Sequence, residues 1–163
     1  MSAAALSGCE TVAPAGATGI SVDAHGRPVI VFALCNDHVD GATIYRDRTN
    51  GDPLGQDSVS VREWDAAAPV TPATATSAEL NTAAPSRSWR SVGGEEPLRP
   101  GLRYVAYGWT RDNTWYTGHV EFALDHLSAL KPGQVLTQTY VEATDDYVDT
   151  VQSYVQFASE ACA

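Results

Sequence analysis

The sequence is short of lysine, of basic clusters and of long apolar runs. It contains a single lysine, Lys131, beside nine scattered arginines, and its net charge is −10. So acidic a chain disfavours binding to nucleic-acid phosphates and to anionic membrane surfaces. No run of 18 apolar residues occurs, so we expect no segment that spans a membrane. Nucleic acid is therefore excluded as an expected partner.

The sequence also lacks the short motifs of common catalytic sites. It has no G-x-S-x-G elbow, no G-x-G-x-x-G fingerprint, no phosphate-binding loop and no H-E-x-x-H zinc motif. Residues 37–40 combine two aspartates with a histidine, and residues 145–149 form an acidic cluster, but neither segment has the ligand set that calcium or zinc requires. We therefore expect no enzymatic activity, no metal and no cofactor. A metal-binding protein or a hydrolase is kept as the second alternative.

Three cysteines, Cys9, Cys35 and Cys162, indicate where the protein resides. Leu6, Ser7 and Gly8 precede Cys9, and this segment resembles a bacterial lipobox, although no basic region and almost no apolar stretch lie before it. The resemblance implies lipidation at Cys9 and a protein exported to the cell surface, either membrane-anchored or secreted. Residues 1–17 are then a signal-peptide remnant followed by a flexible tether. The alternative is a free thiol in a disordered N-terminus.

If Cys9 carries a lipid, Cys35 and Cys162 remain as a pair. Oxidising conditions outside the cytoplasm would join them in a disulfide that fixes the C-terminus to the core. Their spacing is far from the Cys-x-x-Cys of redox sites, so a structural bridge is the expectation.

Short apolar and alternating segments separated by turn residues predict a mainly β protein. The predicted strands cover residues 19–22, 29–34, 42–46, 59–64, 76–80, 88–92, 104–110 and 115–124. Residues 65–75, rich in Pro, Ala and Thr, are predicted as a linker inside the domain. Residues 104–110 and 115–124 are predicted to form one hairpin across the turn at residues 111–114.

The segment before the last hairpin carries the most specific motif, Leu98-x-Pro100-Gly101-x-x-Tyr104. It resembles the tyrosine corner of immunoglobulin-like and fibronectin type III-like sandwiches, in which the tyrosine enters a strand and its hydroxyl returns to the backbone of the turn. With the lipobox-like segment, the chain is similar to small exported actinobacterial lipoproteins. The resemblance implies an antiparallel β-sandwich over residues 18–124.

Residues 125–163 are predicted to extend the sandwich and to pack on it. The extension contains a short helical turn at residues 125–130 capped by Asp125, a strand at 134–141, an acidic connection at 142–149 and a helix at 153–161 capped by Ser153. Because an inward Tyr104 leaves Val105, Tyr107 and Trp109 on the outer face of their strand, we expect the extension to cover that face.

The candidate binding residues lie around the last hairpin. Trp109, Trp115 and Tyr116 flank it, and its tip holds Arg111, Asp112 and Asn113. Large aromatic side chains provide contact area for a sugar ring or a protein anchor. The alternative is that these aromatic residues pack beneath the extension.

The predicted function is therefore a non-catalytic extracytoplasmic binding or scaffold domain, whose partner is an unknown protein or glycan of the cell envelope. The alternative is a carbohydrate-recognition module that uses the aromatic residues of the hairpin.

Overall fold

A computed structural model of the protein describes residues 14–49 and 57–163, so the lipobox-like segment with Cys9 lies outside the described residues. The described chain is mainly β, with two sheets packed face to face and a short C-terminal helix, which confirms the predicted fold class at this level. Its strands are β1 (Gly16–Val22), β2 (Pro28–Leu34), β3 (Val39–Asp47), β4 (Ser58–Val70), β5 (Leu80–Asn81), β6 (Trp89–Gly93), β7 (Tyr104–Trp109), β8 (Thr117–Gly118), β9 (Val120–Phe122), β10 (Gln134–Val141) and β11 (Asp146–Ser153). Two helices, α1 (Leu124–Ser128) and α2 (Tyr154–Glu160), complete the fold.

The strands form two sheets that are almost entirely antiparallel. The first sheet has the order β11-β10-β1-β2-β5, with β8 lying parallel to β1, and the second has the order β6-β4-β3-β7-β9. The core between them is built on large side chains from both sheets, among them Phe32, Trp64, Trp89, Tyr104 and Phe122. Trp64 and Trp89 are thus core residues, at 2% and 5% exposure, and not part of a binding surface.

The turn before β7 brings the Tyr104 hydroxyl back to the backbone. Gly101 adopts a φ of 79°, a conformation that glycine accepts without strain, and the buried Tyr104 hydroxyl accepts a hydrogen bond from the Arg99 N–H at 2.7 Å. From Tyr104 to Trp109 buried residues alternate with half-buried ones, so Tyr107 and Trp109 face outward as predicted.

Five local predictions are wrong, three of them within the sandwich. Residues 65–70 continue β4 because Ala66 pairs with Trp89 and Val70 with Val39, while the predicted strand at 76–80 begins as a 3-10 turn (Ala75–Ser77). Residues 115–124 are two strands, since β8 joins β1 in the first sheet whereas β9 pairs with β7 in the second.

The other two errors lie in the extension. The acidic connection is mostly strand β11, because the chain turns within residues 142–145 and pairs back along β10. Helix α1 begins one residue earlier than predicted, with Ala123 at its N-cap position, so Asp125 lies in the first turn instead of capping it. The prediction for α2 holds: Ser153 caps it, its hydroxyl accepting from the Gln156 N–H.

The extension packs on the first sheet and not on the face of Tyr107 and Trp109. Strand β2 is apolar on both faces, and its outward residues Val29, Val31 and Ala33 pack with Phe157 of α2. Helix α2 is positioned by its packing on this second apolar surface. The Cys35–Cys162 disulfide, with an S–S distance of 2.05 Å, links the end of the chain to the loop after β2. The predicted disulfide is therefore confirmed. The prediction that the extension covers the Tyr107 face is wrong, because α2 packs instead on the outward side chains of β2.

Candidate functional site

The outer face of the second sheet carries an open groove of about 750 Å³. Strands β3, β4 and β7 form its floor, and the hairpin after β7 forms one wall. The lining residues are Thr43, Tyr45, Ser58, Ser60, Glu63, Tyr107, Trp109, Thr110, Arg111, Asn113, Trp115, Tyr116, Thr117 and His119. We call this cavity the aromatic groove, since five of its residues are Tyr or Trp.

Trp109 is held flat against the sheet by two contacts. Its register partner on β3 is Gly41, where an added methyl group would lie 2.2 Å from Cζ2 of the indole. The indole Nε1–H donates to Oγ1 of Thr43 at 2.9 Å. The ring therefore occupies the space that a side chain at position 41 would fill, and its position is fixed before any ligand arrives.

Tyr45 and Tyr107 form a second aromatic element on the floor of the groove. Their ring centroids are 5.9 Å apart and the rings meet nearly at right angles, at 78°. Both side chains are half-buried. Burial raises the pKa of Tyr45 above its ordinary value.

The hairpin wall is held by hydrogen bonds within its own turn and to the start of β3. The Arg111 N–H donates to Oδ2 of Asp40 at 2.9 Å. Asp112 accepts from the hydroxyl and the N–H of Thr114 at 2.7 and 3.1 Å, and these hydrogen bonds lower the pKa of its carboxyl group. Asp112 thus stabilises its own turn and does not line the groove. The wall is a formed structure, with Asn113 at a φ of 58° at its tip.

The polar margin of the groove carries one charge of each sign. Glu63 lies on the β4 side and Arg111 on the hairpin side, where its Nη2 is 4.0 Å from Oδ2 of Asp65. Within residues 14–49 and 57–163, the side chains of Ser60, Glu63 and Asn113 have no hydrogen-bond partner. These groups are available to a ligand that offers both donors and acceptors.

The segment at residues 37–40, which ends in the first two residues of β3, supports the hairpin. His38 contacts Asp37 through Nδ1 and lies 3.3 Å from Oδ2 of Asp40 through Nε2, while Asp40 also holds the Arg111 amide. In the part of the chain that the structure describes, no group of three or more His, Cys, Asp or Glu residues is arranged to hold a metal ion. The Asp40 carboxylate therefore holds the hairpin in place at the end of the groove.

A second cavity, of about 500 Å³, adjoins the aromatic groove at His119. It lies between β9 and the β10–β11 hairpin, and its lining includes Gln138, Tyr147 and Asp149. The rings of His119 and Tyr147 are 6.2 Å apart, and Tyr140 lies 5.4 Å beyond Tyr147. His119 lines both cavities. We call the second one the hairpin cavity, after the β10–β11 hairpin, which is distinct from the hairpin that forms the wall of the aromatic groove.

Five of the six predicted binding residues line the aromatic groove: Trp109, Arg111, Asn113, Trp115 and Tyr116. Sequence reasoning missed Tyr45, Glu63 and His119 as members of this site. The outward alternation of β3 would have indicated Tyr45, but its place beside Tyr107 depends on the pairing register of β3 with β7.

Comparison of the chain with protein-family models, with curated proteins and with solved structures finds no match. None of the helices among the described residues is long and apolar enough to cross a membrane.

Proposed function

We propose that this chain is a non-catalytic binding domain of the cell exterior that holds a component of the cell envelope in its aromatic groove. The observation that carries the proposal is an aromatic floor, formed by Tyr45, Tyr107 and Trp109 on the paired strands β3 and β7, that no other described residue covers. Monomeric proteins seldom leave so aromatic a surface open without a binding role. Fixed rings on a rigid sheet also lose little conformational entropy when a ligand binds.

The proposal places the domain outside the cytoplasm. The Cys35–Cys162 disulfide supports this location, because structural disulfides persist in oxidising compartments. The lipobox-like sequence before Cys9 supports a lipid anchor, with residues 10–17 as the tether. The return of the Tyr104 hydroxyl to the Arg99 amide supports an immunoglobulin- or fibronectin type III-like identity for the sandwich.

Co-sedimentation with insoluble envelopes of a bacterium that carries the gene tests the binding face. We expect the purified domain to sediment with the envelopes, and Trp115→Ala to reduce the bound fraction about tenfold through loss of a ring contact. The matched control is Val155→Ala, on the opposite side of the molecule in α2, where the side chain is 78% exposed. Equal sedimentation of the two variants, or none by wild type, would refute the groove as the binding face.

The intact mass of the protein purified from the same bacterium tests the location. We expect a lipid-modified chain that begins at Cys9 and lacks the two hydrogens of a Cys35–Cys162 bridge. An unlipidated chain with three free thiols would place the protein in the cytoplasm and contradict the proposal.

A further inference from the structure

We propose that the ligand is an uncharged, chain-like polysaccharide that fills the aromatic groove and continues past His119 into the hairpin cavity. This inference rests on the proposed function, since it names the chemical class that the same face would bind. It also adds a second binding region, around Tyr147, that the sequence did not indicate.

The floor of the groove suits the faces of sugar rings. A pyranose presents C–H groups on its faces and hydroxyl groups around its edge, so that an aromatic ring packs against the face while polar groups meet the edge. Trp109 is fixed flat on the sheet by Gly41 and Thr43, and Tyr107 lies one register step away, opposite Thr43. Aromatic side chains next to one another along a strand offer contact surfaces to consecutive sugar units.

The margin of the groove suits an uncharged ligand. Ser60 and Asn113 offer neutral donors and acceptors, and among the described lining residues the opposite charges of Glu63 and Arg111 balance. An anionic polymer would also have to approach a chain of net charge −10, which opposes its association. A peptide that binds by adding a strand finds no free edge here, because β3 and β7 are paired on both sides.

The two cavities adjoin at His119, and the proposed ligand path passes over this residue as one continuous tract. The residue lies between β8 and β9, at the point where the chain passes from the first sheet to the second, and it lines both cavities. Tyr147, whose surface is 56% exposed, lies next to the His119 ring and provides a further aromatic surface beyond the aromatic groove. Gln138 and Asp149, joined by a hydrogen bond of 3.1 Å, give the hairpin cavity its own polar margin. Such a tract accommodates a chain longer than the aromatic groove alone.

Isothermal calorimetry with envelope polysaccharide tests this inference. The probe is protease-treated envelope polysaccharide from the same bacterium, freed of anionic polymers on an anion exchanger, partly hydrolysed and sorted by length. We expect affinity to rise with chain length. Trp115→Ala should weaken binding of all lengths about tenfold, whereas Tyr147→Ala should weaken only the longer chains by a similar factor.

Two conservative variants separate ring contacts from folding defects. Trp115→Phe and Tyr147→Phe keep an aromatic face and should retain most of the affinity, and Val155→Ala should match wild type. If the neutral fraction fails to bind while intact envelopes still sediment the domain through its groove, the polysaccharide inference is overturned and the proposed function stands. If Tyr147→Ala matches wild type at every length, the continuous tract is overturned. If no groove-dependent sedimentation occurs at all, the proposed function itself fails.

Discussion

The indole ring of Trp109 occupies the side-chain space of Gly41, its partner on the neighbouring strand. Glycine at position 41 is what allows a tryptophan to lie flat on the sheet. Thr43 then fixes the rotation of the ring by accepting its N–H at 2.9 Å. The floor of the aromatic groove is thus determined by a missing side chain as much as by the aromatic ones.

Gly41→Ala should therefore displace the indole. Its new Cβ would meet three atoms of the Trp109 ring within 2.7 Å, so we expect a loss of roughly 1–3 kcal/mol in the free energy of unfolding, together with weaker envelope binding. Urea denaturation and co-sedimentation measure the two effects. Gly93→Ala is the matched control, since its Cβ would approach Glu63 only to an ordinary 3.6 Å. Equal stability of both variants would show that Trp109 does not depend on Gly41.

Tyr104→Phe should expose the contribution of the hydroxyl at the turn before β7. The change leaves the Arg99 N–H without its acceptor at 2.7 Å, and we expect a loss of about 1–2 kcal/mol in unfolding free energy. Tyr107→Phe removes a hydroxyl that has no partner among the described residues, and it should change stability by less than about 0.5 kcal/mol. Urea denaturation of both proteins checks the difference, and similar losses would contradict a special role for Tyr104.

Removal of the disulfide should destabilise the whole domain. Cys35 and Cys162 are separated by 127 positions, and the chain-entropy model assigns a cross-link of that span about 5 kcal/mol. We expect Cys35→Ser/Cys162→Ser to lose up to that amount in urea denaturation. Helix α2 should exchange its amide hydrogens faster in the variant, although Phe157 still packs on the first sheet. A double variant as stable as wild type would show that packing of α2 alone holds the chain end.

Asp23 should make the fold sensitive to acid. Its carboxylate accepts hydrogen bonds from the Arg27 backbone and side chain, the His25 amide and the Asn81 side chain. These bonds, the Arg27 amide first, hold the pKa of Asp23 far below its usual 3.8. A carboxyl group whose pKa is lowered by folding stabilises the fold above its unfolded pKa, near 4, and this stabilisation is lost as the pH falls below that value.

Scanning calorimetry as a function of pH checks this acid sensitivity. We expect the melting temperature of wild type to fall more steeply below about pH 4 than that of Asp23→Asn, which has no carboxylate to protonate. Asp125→Asn is a suitable control, since the Asp125 carboxylate accepts no hydrogen bond from the described residues. Parallel curves for wild type and Asp23→Asn would refute the contribution of Asp23.

Local signals in the sequence were enough for several elements. Proline and glycine before Tyr104 specify a turn, the alternation after it specifies which side chains face outward, and Ser153 marks the start of α2 because its hydroxyl caps the first turn. The oxidised pair of Cys35 and Cys162 followed from compartment chemistry and the cysteine count.

Features that depend on contacts between distant segments were not predictable. The position of α2 depends on which of two apolar surfaces gains more from being covered, and the second face of β2 competes with that of Tyr107. The meeting of Tyr45 with Tyr107 depends on strand register, and the hairpin cavity depends on β11, whose acidic sequence resembles a loop. Each is settled by tertiary packing, which overrides local preference.

The most direct test of the binding face follows the four indole N–H signals of the ¹⁵N-labelled domain by NMR while muramidase-solubilised envelope material is added. Trp109 and Trp115 line the aromatic groove, whereas Trp64 and Trp89 are buried in the core. The account predicts that the signals of Trp109 and Trp115 shift or broaden and that those of Trp64 and Trp89 remain in place. Four unchanged indole signals, or shifts confined to Trp64 and Trp89, would contradict it.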